Sequence, residues 1–159
     1  MNQDVYHAAL VLHIIGITLM GGATVMDYLG FRKFWQVLKN DRQGSILFLE
    51  IGTTYQRLMG IGMLLIIISG ITMMAYMHAI WGEQIWFRIK FVLLLVIILN
   101  GLGIRRILGN KLKKELHVID PDADVILTFS KFKGKIFAVH SLQLFLFVAI
   151  YILSVFKFN

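Results

Sequence analysis

Four long apolar runs dominate the 159 residues of this chain. They cover about Val5 to Gly30, Leu58 to Ile80, Ile85 to Leu108 and Ile136 to Phe156. Each reaches the ~20 residues an α-helix needs to cross a hydrocarbon core about 30 Å thick. A soluble domain of this length would need a charged surface to cover such runs, and only 16% of the residues are charged against 58% hydrophobic. In lipid every backbone N–H and C=O must be satisfied within the segment, so each run has to be a helix. The expected fold is all-α: one domain, residues 1–159, an integral membrane four-helix bundle. The opening Met-Asn-Gln-Asp has no basic stretch and no small-residue cleavage site follows the first run, which reads as a retained helix and not a signal peptide.

The net charge of +7 has a simple cause in this setting. Between runs one and two lie Arg32, Lys33, Lys39, Arg42 and Arg57. Between runs three and four lie Arg105, Arg106, Lys111, Lys113, Lys114, Lys131, Lys133 and Lys135. These are 13 of the 16 basic residues, against Arg88, Lys90 and Lys157 on the other side. The positive-inside bias then predicts two cytoplasmic loops and an N-out, C-out topology, with the termini periplasmic if the membrane is a bacterial inner membrane. Membrane lipid, and not nucleic acid, is the partner this charge implies. Helical cytoplasmic extensions are expected from the apolar pattern of Ile46, Leu47, Leu49 and Ile51, and from the helix-start signal Asp120-Pro121-Asp122.

Ionisable and amide groups inside a span are costly and mark either helix contacts or a site. Here they are His13, Asp27, His78, Lys90, Asn100, His140 and Gln143. At about 100° per residue His13, Gly16, Met20 and Asp27 share one narrow stripe, which must face the bundle. His13 is either an inter-helix hydrogen-bonding group or an axial ligand, since neutral imidazole ligates metals and haem iron. His78 at the outer end of run two is either solvated or a ligand. Lys90 either snorkels to the interface one turn after Trp86 or serves as a ligand or anion holder. His140 and Gln143 share a face of run four near the inner end. At ~1.5 Å rise per residue, His13 and His140 should differ in depth by roughly 15–20 Å, too far to share one iron. The outer group His13, His78 and Lys90 is the more coherent, with His140 and Asp27 forming a separate inner cluster, a second site or a structural hydrogen bond. The frequent glycines serve close helix approach or leave room for a flat cofactor.

Cysteine is absent, so disulfides, thiolate catalysis and zinc–thiolate sites are excluded. No phosphate loop, catalytic triad, paired carboxylates or HExxH pattern occurs, leaving hydrolysis without machinery. Met73, Met74 and Met77 near His78 offer soft donors for copper, or ordinary apolar filling.

Two segments carry a family resemblance. Leu12-His13-Ile14-Ile15-Gly16, followed by the glycine pair Gly21-Gly22, resembles the opening of HemJ-type protoporphyrinogen oxidases. Trp86-Phe87-Arg88-Ile89-Lys90, followed by an apolar run and Arg105-Arg106, is similar to that family's tryptophan-to-lysine segment. A more distant likeness is to CopD-type copper-resistance membrane proteins. The resemblance implies b-type haem with His13 and Lys90 as the functional pair, a porphyrin-type substrate as electron donor and quinone as acceptor. With the polar residues of the spans this gives an expectation of one or two haems, His78 or His140 as further metal ligands, and Arg88 or Gly16 helping to seat the cofactor. Copper handling and a non-catalytic structural subunit are the alternatives. The chain departs from the family at Asp27-Tyr28-Leu29-Gly30-Phe31-Arg32, where a Tyr-Leu-Pro-Arg-like segment is expected, and at Ala138-Val139-His140-Ser141, where an Asn/Pro-containing start is expected. A bundle this small is expected to form homo-oligomers.

Overall fold

The computed structural model describes residues 3–81, 84–118 and 125–156. Among these every regular element is helical, and four helices are long and apolar enough to cross a membrane. In chain order they are α1 (Gln3–Val37), α2 (Arg42–Trp81), a rod made of α3 (Ile85–Ile98), a π-helical turn (Leu99–Ile104) and α4 (Arg105–Val118), and α5 (Val125–Val155). Residues 119–124, with the Asp120-Pro121-Asp122 helix start, lie outside the described residues.

The helices outrun the hydrocarbon core. At 1.5 Å per residue the 35 residues of α1 span about 52 Å, roughly 20 Å more than the apolar thickness. Arg32 and Lys33 fall within α1, Arg42 and Arg57 within α2 and Lys111, Lys113 and Lys114 within α4, so the long basic loops expected from the sequence are mostly helix. The connection from α1 to α2 is only Leu38–Asp41, closed by backbone bonds from Asn40 and Asp41 to the carbonyl of Val37. Asp41 caps α2, its carboxylate accepting from the Gly44 N–H at 2.8 Å and supplying one of the partners a helix start lacks. Arg42 donates to the Leu116 carbonyl and ties the start of α2 to the end of α4.

Packing explains why α1 and α2 form a tight antiparallel hairpin. At their crossing, Gly16 and Gly62 bring backbone against backbone. A Cβ on Gly62 would stand 2.7 Å from the Gly16 carbonyl oxygen and 2.9 Å from the Met20 nitrogen. Small residues permit such approach, which matters in lipid because apolar side chains gain little by leaving it for another helix. Gly16 thus serves close helix approach, one of the two sequence expectations for these glycines.

Two apolar clusters stack along the bundle. The first joins Met20, Ala23, Met59, Met63, Ile66, Ile97, Leu146 and Phe147 from all four helices. The second, at the basic end, joins Phe31, Phe34, Trp35 and Leu38 to Leu112, Leu116, Phe129 and Ile136. Outside the first, large side chains such as Val11, Ile14, Leu64, Phe91, Val92 and Phe145 point outward and exposed, an arrangement suited to lipid and costly in water.

Candidate functional site

Between the two clusters lies a layer of buried charge. Asp27 of α1, Arg105 at the start of α4 and His140 of α5 are 6%, 3% and 7% exposed. One carboxylate oxygen of Asp27 pairs with the Arg105 guanidinium. The other is 2.7 Å from His140 Nε2. Asp27 falls on the inward stripe of α1 because its spacing matches Met20, Thr24 and Phe31, which are buried on the same side.

Arg105 reaches this layer through the π turn. In a regular α-helix, positions five apart differ by about 140° in azimuth. Here the Arg105 N–H bonds the Asn100 carbonyl five residues back, which stacks Arg105 over Asn100 and turns both inward. Asn100 Nδ2 donates to Gln143 Oε1 at 2.7 Å and to the Val139 carbonyl at 3.1 Å, joining α3 to α5. Arg105 Nη1 also meets Met59 Sδ at 3.3 Å, and Thr24 Oγ1 reaches the same sulfur at 3.3 Å. Counting the ion-pair contacts, the buried polar atoms left without a partner among the described residues are Arg105 Nε, Asn100 Oδ1 and Trp35 Nε1.

The imidazole of His140 is fixed on three sides. Its Nδ1 is 2.8 Å from the Ile136 carbonyl, and Phe31 stacks on its face with centroids 4.6 Å apart and planes 11° from parallel. Both nitrogens therefore face oxygens. A carbonyl can only accept, so Nδ1 carries hydrogen. Nε2 faces the Asp27 carboxylate beside the Arg105 guanidinium. Of the two readings the sequence offered for this inner cluster, a second site or a structural hydrogen bond, the contact with Asp27 supplies the hydrogen bond.

His13 stands apart from this layer, 14 residues up α1 or about 21 Å. Its Nδ1 is 2.9 Å from Ser69 Oγ of α2. The Ser69 hydroxyl bonds the Leu65 carbonyl at 2.5 Å, so its hydrogen is committed there and the oxygen accepts from Nδ1–H. The Ile66 carbonyl of the same α2 turn also lies within hydrogen-bond reach of the ring. Gly70 lies beside the ring, where a Cβ would stand 3.8 Å from His13 Cε1. Lys90 is half-buried and within electrostatic reach of His13, and Arg88 is exposed. The side chains of His78, Met77 and Trp86 lie outside the described residues.

No family model, no curated protein and no solved structure matches this chain. Among the described residues no group of three or more His, Cys, Asp or Glu is placed to hold a metal ion. Arg105 is the residue that sequence reasoning missed. Its position beside Arg106 at the end of an apolar run reads as a loop cation. The signal was Asp27 itself, since a carboxylate on an inward stripe requires a cation at the same depth.

Proposed function

We propose that the chain is an integral membrane haem-binding redox protein, oriented N-out and C-out, with its basic helical extensions in the cytoplasm. The orientation rests on the 13-to-3 division of basic residues. The observation that carries the haem reading is the His13–Ser69 hydrogen bond. A metal-ligating histidine ordinarily donates its second ring N–H to an oxygen, which fixes the ring and raises its basicity. Ser69 supplies that oxygen, and Gly70 places no side chain against the ring.

His13 would be the leading ligand of such a group, with Lys90 or His78 supplying the other. When bound, haem would supply one-electron transfer. Ser69 would hold the proton on Nδ1 and orient Nε2, while Lys90 adds positive charge near the site. By resemblance to the HemJ-type family, the reaction would remove hydrogen from a porphyrinogen-type substrate, each two electrons and two protons converting one quinone to quinol. The two departures from the family pattern fall at the inner charge layer, around Asp27 and His140, and leave the His13 and Lys90 segments untouched.

The test is the absorbance of protein purified in mild detergent. A Soret band with sharp α and β bands on reduction is expected. His13→Ala should abolish or shift them, and Ser69→Ala should weaken hemin binding about 10- to 100-fold, the usual effect of losing such a partner. Colourless protein that does not respond to added hemin sinks the proposal. His13–Ser69 is then an inter-helix bond and the chain a structural subunit.

A further inference from the structure

A cleft of about 360 Å³ opens between α2 and the α3–α4 rod. Its two ends differ in chemistry. One end is walled by Met20, Met63 and Ile97 of the membrane-spanning cluster, with Gln143 beside them, and Met59 lies at the junction against Arg105. The other end carries Arg57, Arg105 and Arg106, with Gln56 and Asn110 beside them. Arg57 and Arg106 are exposed, and neither has an ion-pair partner among the described residues. Arg105 is buried and neutralised by Asp27, yet its Nε has no partner. Gly60 lines the cleft, and a Cβ there would meet nothing within 4 Å.

We infer that this cleft binds an anionic phospholipid from the leaflet on the basic side of the membrane. The phosphate would lie between Arg57 and Arg106, and an acyl chain would run past Gly60 along the methionines. The order of the two ends decides this occupant. A soluble anion would be satisfied by the arginines and leave the apolar end unused, and a wholly apolar ligand would leave two cations at its rim. Methionine walls suit a flexible chain because the thioether adapts its shape. Basic pockets between helices at this depth are a recurrent form of lipid headgroup site. The site lies at the opposite end of the bundle from His13, so it does not depend on haem.

The experiment titrates the detergent-purified protein with phosphatidylglycerol, phosphatidylcholine and inorganic phosphate, reading bound lipid by native mass spectrometry. Phosphatidylglycerol should bind best, and Arg57→Gln with Arg106→Gln should weaken it about 30-fold, two interfacial cations each contributing about fivefold. The control pair Lys33→Gln with Lys39→Gln removes the same charge outside the cleft and should change binding less than twofold. Because the chain has no cysteine, Gly60→Cys gives a single thiol inside the cleft, and phosphatidylglycerol should slow its maleimide labelling at least fivefold. Equal loss in the two double variants overturns the proposal. So does phosphatidylcholine binding as tightly, displacement of the lipid by inorganic phosphate, or unprotected Gly60→Cys. The titration is valid for coloured or colourless protein, so its failure is distinct from failure of the haem reading.

Discussion

Replacing Asp27 with Ala removes the anion from a layer in which Arg105 and His140 are each less than a tenth exposed. Arg105 keeps only its sulfur contact with Met59, and His140 loses the oxygen facing Nε2. Breaking a buried ion pair on one side costs about 3–5 kcal/mol, because the remaining charge stays desolvated. That corresponds to roughly two to three and a half decades in the folding equilibrium. Removing both charges, as in Asp27→Leu with Arg105→Met, eliminates that penalty. The double variant should recover about 2 kcal/mol of the loss, remaining about 1–3 kcal/mol below wild type for the unpaired Nε2 of His140. Equilibrium unfolding in mixed micelles of increasing SDS fraction, read by far-UV circular dichroism, measures all three proteins and both single variants. The coupling energy from the cycle should exceed about 2 kcal/mol. A single-variant cost below about 1 kcal/mol, or additive single effects, would refute the buried layer and return Arg105 to a solvated role.

Further outcomes follow from the packing and topology. Gly62→Leu forces a side chain into the Gly16 backbone and should destabilise the α1–α2 hairpin by at least about 1–3 kcal/mol in the same assay, whereas Gly22→Ala, where a Cβ meets nothing within 4 Å, should be nearly neutral. Asn100→Leu breaks the Asn100–Gln143 bond and should cost about 0.6–1.7 kcal/mol, the range found for inter-helix hydrogen bonds in lipid. Single cysteines at Lys39 and Gln84 should react with a membrane-impermeant maleimide from opposite sides of sealed vesicles, Lys39 from the cytoplasmic side. Labelling of both from one side would contradict four spans.

Much of the inner layer was legible in the chain. The spacing of Met20 and Asp27 on one stripe required an inward carboxylate, and His140 was its expected neighbour at that depth. Asn100 and Gln143 were both marked as costly in lipid, and they satisfy each other. Arg105 was not legible as a partner because a regular helix turns residues 100 and 105 to different faces. The π turn that aligns them has no clear signature beyond Gly101 and Gly103. Nor could spacing show that His140 has both nitrogens engaged. That depends on the rotamer pressed against Phe31 and on a backbone carbonyl one turn away.

The sequence alone determined that the chain is four apolar helices with one strongly basic end, because lipid leaves an unbroken apolar run no other way to satisfy its backbone and charge asymmetry follows membrane orientation. Tertiary structure decided which glycines touch, which arginine is buried and which histidine meets Asp27. Those are relations between helices, set by a crossing at Gly16 and Gly62 and a single widened turn, and side chains on different helices carry no mark of their partners until they are packed.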